Sequence, residues 1–280
     1  MKYRFMRFPE GKFKAVTLTY DDGTVHDKRM AEILNRHAMK CTFNISGNFH
    51  VEGHMTPADV QTHILDAGHE IAVHGAHHRA LGMIRPAEGI REVMECRDLL
   101  ENTFGRMIRG MAYPDTMKFG VATDYETALE YLKALDIDYC RTAGGDNFDF
   151  DLPQDWYRWM PSVKSQNPDL AEYVRRFVAL REEELYIACR EPRLFSMWGH
   201  SYEFANDKTW DVLERFCEDI GGKEDTWYAT NGEIFDYVEA WNSLKYSADH
   251  RRIYNPTVTD VWMNIDGTVY CVKAGETLVL

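Results

Sequence analysis

The chain has 280 residues, of which 45% are hydrophobic and 28% charged, and its formal net charge at pH 7 is −13. This composition is typical of a soluble globular protein and excludes a disordered, fibrous or membrane-embedded chain. The acidic excess argues against binding to nucleic acid or to an anionic membrane, because both need clustered lysine and arginine.

The amino-terminal segment and the cysteines bear on where the protein functions. Residues 1–16 mix basic and aromatic residues and lack the apolar run of a signal peptide. The six cysteines are widely spaced, with no CxxC pair, which is typical of reduced thiols rather than of a disulfide framework. Both features predict a cytoplasmic protein.

Segments with strand and helix patterns alternate along most of the chain. Strands are predicted at 15–20, 41–46, 69–75, 108–114, 137–143 and 193–204, and helices at 27–39, 56–68, 85–105, 124–136, 168–185 and 208–221. The alternation indicates parallel strands joined by helical crossovers. The number of units favours a barrel, with an open doubly wound sheet as the alternative. No glycine-rich phosphate-binding motif follows any of these strands, so a nucleotide-binding fold has no support.

The last part of the chain has a different pattern. From about residue 255, hydrophobic and polar residues alternate with period two, and Asp-Gly at 266–267 and Gly-Glu at 275–276 indicate turns. This pattern predicts a small C-terminal β-hairpin appendage that covers one end of the barrel. The predicted domains are therefore a (β/α) barrel over 1–245 and a β appendage over 250–280.

Polar residues at the ends of two predicted strands suggest a metal site. In a barrel of parallel strands the active-site groups lie at the carboxyl ends of the strands. Asp22 follows the first strand, and His74 and His78 follow the third. One carboxylate oxygen and two imidazole nitrogens suit a zinc-like divalent ion with coordination positions left open. His77 is an alternative second histidine, because a spacing of three residues would also allow ligation.

Asp21 and His200 would complete a hydrolytic set. If Asp22 binds the ion, its neighbour Asp21 can take a proton from the attacking water, and His200, from a late strand, can protonate the leaving group. The ion would lower the pKa of the water to roughly 7 and polarise the carbonyl under attack. These residues together predict metal-assisted hydrolysis.

These motifs resemble those of the polysaccharide deacetylases, the NodB-homology enzymes of carbohydrate esterase family four. Residues 19–23 read TYDDG where the family has TFDDG, and residues 74–78 read HGAHH where the family has H[ST]xxH. The resemblance covers roughly residues 12–240. It implies an α/β fold, a distorted (β/α) barrel of about seven parallel strands, which agrees with the strand pattern.

The resemblance also implies a role for each matching residue. Asp21 is then the catalytic base, Asp22, His74 and His78 are the metal ligands, and His200 is the general acid. Zinc is the expected ion, with cobalt, manganese or nickel as alternatives. The implied reaction removes an acetyl group from an N- or O-acetylated carbohydrate, so the expected partner is an acetylated oligosaccharide or polysaccharide.

The third motif departs from the family pattern. Usual members have RPPYG, whereas residues 112–116 read AYPDT, with alanine where the family has arginine. We expect Tyr113, Pro114 and Asp115 to contact the substrate, with the backbone N–H of Asp115 near the oxyanion. We expect Arg141, at the end of the next strand, to supply the missing positive charge as a catalytic residue.

The later motifs are matched less closely. A literal match to the fourth motif falls on Asp155 and Trp156, beyond the strand where that motif belongs, and these two are predicted to be loop residues. In the last motif Trp198 lies near His200, and its ring is expected to form a wall for a sugar. Two alternatives remain open. One is a hydrolase of the same superfamily that opens a cyclic amide or imide, and the other is a non-catalytic carbohydrate-binding protein.

Overall fold

The computed structural model describes residues 2–115, 118–144 and 147–280, in which strands and helices alternate as the sequence predicts. The strands are β1 Arg4–Arg7, β2 Lys14–Asp21, β3 Cys41–Ile45, β4 Glu70–Val73, β5 Gly110–Ala112, β6 Tyr139–Arg141, β7 Val163–Lys164, β8 Arg193–Gly199, β9 Thr226–Tyr228, β10 Lys245–Tyr246, β11 Arg252–Tyr254, β12 Val261–Ile265, β13 Thr268–Val272 and β14 Thr277–Val279. The helices are α1 Asp27–Arg36, α2 Pro57–Asp59, α3 Pro86–Phe104, α4 Tyr125–Ala134, α5 Leu170–Ala179, α6 Ser201–Asp207, α7 Trp210–Ile220 and α8 Asn231–Asn242. A π-helical turn, Val60–Leu65, continues α2, and short 3-10 turns lie at Pro9–Gly11, Leu81–Met83, Trp156–Arg158, Glu182–Glu184 and Ile187–Cys189.

The central sheet is parallel and curls into a distorted barrel. Its path follows the order β6-β5-β4-β3-β2-β8-β7, and β9, which also pairs with β2, makes the sheet 8-stranded. A parallel bridge between Arg141, at the end of β6, and Trp159, just ahead of β7, brings the two edges of the sheet together. The predicted fold class, a distorted (β/α) barrel with a small β-hairpin appendage at its carboxyl terminus, is confirmed.

Burial on both faces explains the composition of the central strands. All eight residues of β2 are buried, because the barrel interior lies on one face and helices cover the other. Helix α1 turns Met30, Ile33 and Leu34 toward the sheet, at the spacing that places them on one side of the helix. The strands of the barrel and the surrounding helices share one hydrophobic core.

Two small antiparallel sheets lie beside the barrel, in the orders β1-β12-β13 and β10-β11-β14. The hairpin of β12 and β13 turns at Asp266 and Gly267, both at positive φ, as the Asp-Gly signal predicts. The sequence analysis did not predict β1, which pairs with β12, so both ends of the chain contribute to this sheet. The domain division at 245–250 stays a prediction.

All six cysteines are free, and four of them are buried. In the parts of the chain that the structure describes, no helix is both long and apolar enough to cross a bilayer.

Candidate active site

Three side chains at the carboxyl end of the barrel form a candidate metal site. The ligand atoms of Asp22, His74 and His78 all lie within 4.8 Å of one another. Nε2 of His74 and Nε2 of His78 each lie 3.5 Å from Oδ1 of Asp22. Within the described residues, this is the one group of His, Cys, Asp and Glu side chains that is close enough to share an ion. Its donor atoms suit zinc or a similar divalent ion.

The hydrogen bonding of His74 leaves one ring nitrogen free for an ion. Nδ1 lies 3.0 Å from the carbonyl oxygen of Ala112, and because a carbonyl only accepts, Nδ1 carries the proton and donates it. Nε2 is buried and has no hydrogen-bond partner among the residues described. A buried nitrogen without a partner is costly unless a ligand occupies it, so this atom fits a metal ion. The backbone of Ala112 therefore supports the site although its side chain cannot replace arginine.

The charge of Asp22 also fits a metal ligand. Burial raises the pKa of Asp22, but the adjacent imidazole of His74, together with the charges of His200 and His78, outweighs burial and lowers the pKa to about 2. For His74, burial lowers the pKa, and the neighbouring carboxylates of Asp21 and Asp22 outweigh that effect and raise it. Asp22 is thus a carboxylate at neutral pH, and an ion bound to Nε2 of His74 would compete with a proton for that atom.

The backbone at the site adopts an uncommon conformation. Asp22, His78 and Asp115 have φ of 80°, 55° and 54°, in the left-handed region that residues other than glycine rarely occupy. Such residues concentrate at functional sites, where the surrounding structure holds them. The doubled aspartate is therefore a turn as well as a candidate site, and the turn directs Asp22 toward the two histidines.

Two buried donors orient Asp21 beside the metal cluster. The guanidinium of Arg141 donates from Nη2 to Oδ1 of Asp21, and Nδ2 of Asn44 donates to the same oxygen at 2.9 Å. Arg141 and Asn44 are fully buried, and Asp21 is 3% exposed. The other oxygen, Oδ2, lies 4.0 Å from Nε2 of His74. Asp21 is thus held through one oxygen while the other faces the candidate ligands.

Arg141 reaches Asp21 because β6 and β2 end at the same edge of the barrel. Nη1 of Arg141 donates to the carbonyl oxygen of Thr142 at 3.1 Å, and its Cζ lies 5.0 Å from the ring centroid of Trp198. These contacts fix the guanidinium. The structure places Arg141 where the sequence analysis expects a positive charge, and its catalytic role stays a prediction.

His200 approaches the cluster from the end of β8. Its Nε2 lies 3.9 Å from Oδ2 of Asp22, and its Nδ1 lies 3.3 Å from Oε2 of Glu203. Lys164 donates to the other oxygen of Glu203 at 2.6 Å. Burial raises the pKa of Glu203, and the hydrogen bonds from His200 and Lys164 outweigh that effect and lower it. A carboxylate thus faces Nδ1 of His200, and Nε2 points toward the candidate ligands.

The residues predicted to contact substrate differ in their exposure. Tyr113 is buried and donates its hydroxyl hydrogen to the carbonyl oxygen of Tyr157 at 3.0 Å, and Pro114 is also buried. Asp115 is exposed, with Oδ1 3.8 Å from Nδ1 of His78. Among the described residues of this motif, direct contact with a substrate is therefore open to Asp115 alone. Thr116, the last residue of the motif, lies outside the described residues.

The ring of Trp198 is more buried than a ring that stacks on a sugar would be. Its side chain is 8% exposed, and both Arg141 and Lys164 lie over its ring, with Nζ of Lys164 5.4 Å from the centroid. Its indole Nε1 is buried and has no hydrogen-bond partner in the described part of the chain. The ring packs against the two cations, so contact with a sugar would be confined to its exposed edge.

The remaining alternatives from the sequence lie outside the cluster. The side chain of His77 is 66% exposed, and its Nδ1 lies 3.1 Å from Oε2 of Glu92. The pair separated by four residues, His74 and His78, forms the cluster instead. Asp155 accepts hydrogen bonds from the hydroxyl of Tyr125 and the backbone N–H of Tyr157, so it caps a local turn as a loop residue.

Two further polar residues at the site, Asn44 and Lys164, belong to none of the sequence motifs. Both lie at or next to the carboxyl end of a barrel strand, β3 for Asn44 and β7 for Lys164. The signal for Asn44 is its position near the end of the predicted strand CTFNIS, where polar residues of a parallel barrel face the active site. Lys164 lies in a strand of two residues, which is too short to show a periodic pattern.

The candidate site is open to solvent. The side chains of Asp22, His78 and His200 are 23%, 35% and 19% exposed. A cavity of about 1060 Å³ lies elsewhere, between β1, α8 and the segment 148–156, and none of the site residues lines it. The chemistry-bearing groups therefore lie on an accessible surface rather than in the large cavity.

Comparison with known proteins supports one family. The family model named polysaccharide deacetylase matches residues 8–139. Among solved structures, a Mycobacterium smegmatis protein named for the polysaccharide deacetylases has 18% identity and a TM-score of 0.59, covering 86% of this chain and 96% of that chain. A family 4 carbohydrate esterase from Streptomyces lividans, in complex with acetate, has 15% identity and a TM-score of 0.51, covering 77% and 91%.

A third structure agrees with these two. The Xyl-CE4 domain of a multidomain xylanase from the hindgut metagenome of Trinervitermes trinervoides has 17% identity and a TM-score of 0.51, covering 82% of this chain and 92% of that chain. At these identities the likeness shows the fold. No curated protein matches the chain in sequence. The family-model match and the shared fold support placing the chain with the polysaccharide deacetylases, the NodB-type carbohydrate esterases of family 4, from whose usual pattern it departs in the third motif.

Proposed function

We propose that the protein is a metal-dependent hydrolase that removes acetyl groups from an N- or O-acetylated carbohydrate. The observation that carries this proposal is the convergence of Asp22, His74 and His78, with Asp21 beside them and His200 facing them. The Streptomyces lividans esterase of the same fold is in complex with acetate, which is the product that a deacetylase would release.

Asp22, His74 and His78 would hold the ion, which we propose to be zinc, with cobalt, manganese or nickel as alternatives. When bound, the ion supplies Lewis acidity, which makes water a better nucleophile at neutral pH and polarises the carbonyl of the acetyl group. The free Nε2 of His74 and the ionised carboxylate of Asp22 support this assignment.

Asp21 is the proposed general base. Arg141 and Asn44 both donate to Oδ1, which leaves Oδ2 to accept the proton of the attacking water. A base held by two buried donors keeps its orientation through the reaction, so little of its side-chain freedom has to be lost at the transition state. Arg141 thereby takes the place of the arginine that the third motif lacks.

His200 is the proposed general acid. Its Nε2 faces the cluster, while the carboxylate of Glu203 lies beside Nδ1. The ring can then donate its Nε2 proton to the leaving amine or alkoxide. We propose the backbone N–H of Asp115 as the donor to the oxyanion, with the carboxylate of Asp115 turned toward His78.

The openness of the site favours a carbohydrate chain over a small cyclic amide. A small amide is usually bound in an enclosed pocket that buries most of its surface. Here the candidate ligands and His200 are all partly exposed, which suits a sugar residue at the end or in the middle of a longer chain. The presence of all five proposed chemical residues argues against a purely carbohydrate-binding role.

The test combines metal content with product release. We expect elemental mass spectrometry to find about one zinc-like ion per wild-type chain, as a single site requires. Asp22→Ala and His78→Ala should lack the ion, and His77→Ala, the neighbouring histidine outside the cluster, should keep it. The metal-loaded wild type should release acetate from an N- or O-acetylated oligosaccharide.

Two results would contradict the proposal. Absence of metal under every loading condition would exclude the mechanism. Hydrolysis of a cyclic imide, with no acetate release from any acetylated sugar, would assign the site to the other branch of the superfamily.

A further inference from the structure

We propose that Glu92, on α3, is a positioning residue that holds His78 in the geometry needed to bind the metal ion. The inference rests on the proposed function, because it concerns the metal site that the function requires. No motif of the sequence analysis includes Glu92, which lies 14 residues beyond His78 in the sequence.

The carboxylate of Glu92 binds the backbone on both sides of His78. Its Oε1 accepts the N–H of His77 at 2.7 Å and the N–H of Arg79 at 2.9 Å. Its Oε2 lies 3.1 Å from Nδ1 of His77. The backbone carbonyl oxygen of Glu92 also accepts the N–H of Ala76 at 2.9 Å. One residue of α3 thus receives three backbone N–H groups of the segment 76–79.

The conformation of His78 explains why this support is needed. Its φ of 55° is left-handed, which a residue with a side chain adopts only when its surroundings hold it there. Backbone N–H groups around such a residue converge on one point and form a concave anion site. The carboxylate of Glu92 fills that site, so its loss would release the local conformation.

His78 depends on its loop more than His74 does. His74 directly follows β4, is 1% exposed and is fixed by the carbonyl oxygen of Ala112. His78 lies four residues further on, and its side chain is 35% exposed. A ligand that no strand holds must be oriented by its loop, and Glu92 is the buried group that fixes this loop.

Gly75 shows that the carboxylate and the loop fit together closely. A Cβ atom on Gly75 would lie 2.9 Å from Oε1 of Glu92 and 3.1 Å from Cγ of Pro114. The φ of Gly75 is 75°, which also disfavours a side chain. Glycine therefore occupies the position where the family motif has serine or threonine, because the carboxylate of Glu92 takes up the space beside it.

The test measures zinc affinity, not only activity. We expect Glu92→Leu to raise the Zn²⁺ dissociation constant about 10- to 100-fold, as loss of a residue that orients a ligand usually does. Glu92→Gln keeps an acceptor oxygen for the two N–H groups and should bind Zn²⁺ much as the wild type does. Glu92→Asp shortens the side chain by one methylene group, so its Zn²⁺ dissociation constant should lie between those of the leucine and glutamine variants. This variant replaces Glu92→Leu in the test if the leucine variant does not fold. Competition with a chromophoric chelator gives the constants.

Glu101 offers a matched control on the same helix. It also accepts a backbone N–H, that of Ile108 at 2.9 Å, and it pairs with Arg97, but it lies nine residues beyond Glu92. Glu101→Leu should lower the stability of the metal-free protein without changing the Zn²⁺ constant. In the metal-free protein, hydrogen exchange at residues 76–79 should accelerate in Glu92→Leu and not in Glu101→Leu.

The outcomes separate this inference from the proposed function. Wild-type Zn²⁺ affinity in Glu92→Leu, or equal weakening in Glu101→Leu, would overturn the positioning role. Zinc binding by the wild type that weakens in Glu92→Leu, with no acetate released from any sugar, would support the positioning role and reject the deacetylase function.

Discussion

The two ends of the barrel each contain a partly buried carboxylate, Glu70 at the amino end and Asp22 at the carboxyl end, and use it differently. At the amino end, Glu70 accepts hydrogen bonds from the hydroxyl of Thr42 at 2.7 Å, the hydroxyl of Tyr139 at 2.9 Å and the backbone N–H of Gly232 at 2.9 Å. At the carboxyl end, Asp22 has imidazole nitrogens at 3.5 Å, which is longer than a normal hydrogen bond.

This difference separates a structural carboxylate from a functional one. The donors around Glu70 join β3, β6 and the start of α8, so the carboxylate ties the first turn of that helix to the sheet. At the carboxyl end, Nε2 of His74 has no hydrogen-bond partner among the described residues, and Asp22, His78 and Asp115 adopt left-handed backbone conformations. Each such conformation costs about 1–3 kcal/mol. A site that binds a ligand keeps polar atoms unpaired until the ligand is present, whereas in a structural network the polar groups already bond to one another.

The largest expected effect is on catalysis at the carboxyl end. Asp21→Asn removes the proposed base while it keeps the shape of the side chain, so turnover should fall about 10²- to 10⁴-fold. The zinc content should stay at the wild-type value, because Asp22 and both histidines remain. Steady-state acetate release measures the turnover, and elemental mass spectrometry measures the zinc content. A variant with retained turnover would contradict the role of Asp21.

Arg141→Met should reduce both activity and stability. It leaves Asp21 buried with Asn44 as its remaining donor, and breaking a buried ion pair costs about 3–5 kcal/mol. Turnover should fall about 10²-fold, because the base loses its orientation. Urea denaturation and acetate release measure these changes. Unchanged turnover would show that Arg141 does not replace the arginine missing from the third motif.

Glu70→Leu should affect stability alone and so sharpen the contrast between the ends. It leaves Thr42, Tyr139 and the N–H of Gly232 without their acceptor, and we expect the free energy of unfolding to fall by about 3 kcal/mol. The Zn²⁺ dissociation constant should not change, since Glu70 lies at the opposite end of β4 from His74. A weaker zinc site in this folded variant would mean that the two ends are coupled.

The smallest effect concerns Asp27, the first residue of α1. It is fully buried, and its carboxyl oxygens have no hydrogen-bond partner among the described residues. Burial, with the charges of Asp22 and Asp21, raises its pKa well above the usual value. Above the unfolded pKa, folding therefore takes up a proton, so this group makes the protein less stable as the pH rises toward the folded pKa.

Asp27→Asn removes that pH dependence. Between pH 4.5 and 7.5, the free energy of unfolding of the variant should decline less than that of the wild type, by about 1 kcal/mol or more. Urea denaturation at both pH values measures the difference. An identical decline in the two proteins would show that Asp27 is ionised in the folded state.

Much of the candidate site could be predicted because the carboxyl ends of the strands can be located from the sequence pattern. Apolar runs mark the strands, and in a parallel barrel all their carboxyl ends meet, so Asp21, Asp22, His74 and His200 could be grouped before any contact was known. The same rule placed Arg141 at this edge. Tyr113 and Trp198 were less predictable, because burial of a side chain depends on neighbours that are distant in the sequence.

The sequence by itself determined the alternation of strands and helices, the hairpin turn at Asp266 and Gly267, and the residue types that can bind a divalent ion. These features depend on residues close together in the chain, where periodicity and turn chemistry act. Only the tertiary structure decided that His78 rather than His77 joins the cluster, that β1 pairs with β12, and that Glu92 supports the loop of His78. Those outcomes depend on how distant segments pack and on which backbone groups meet a buried partner, which a local pattern does not encode.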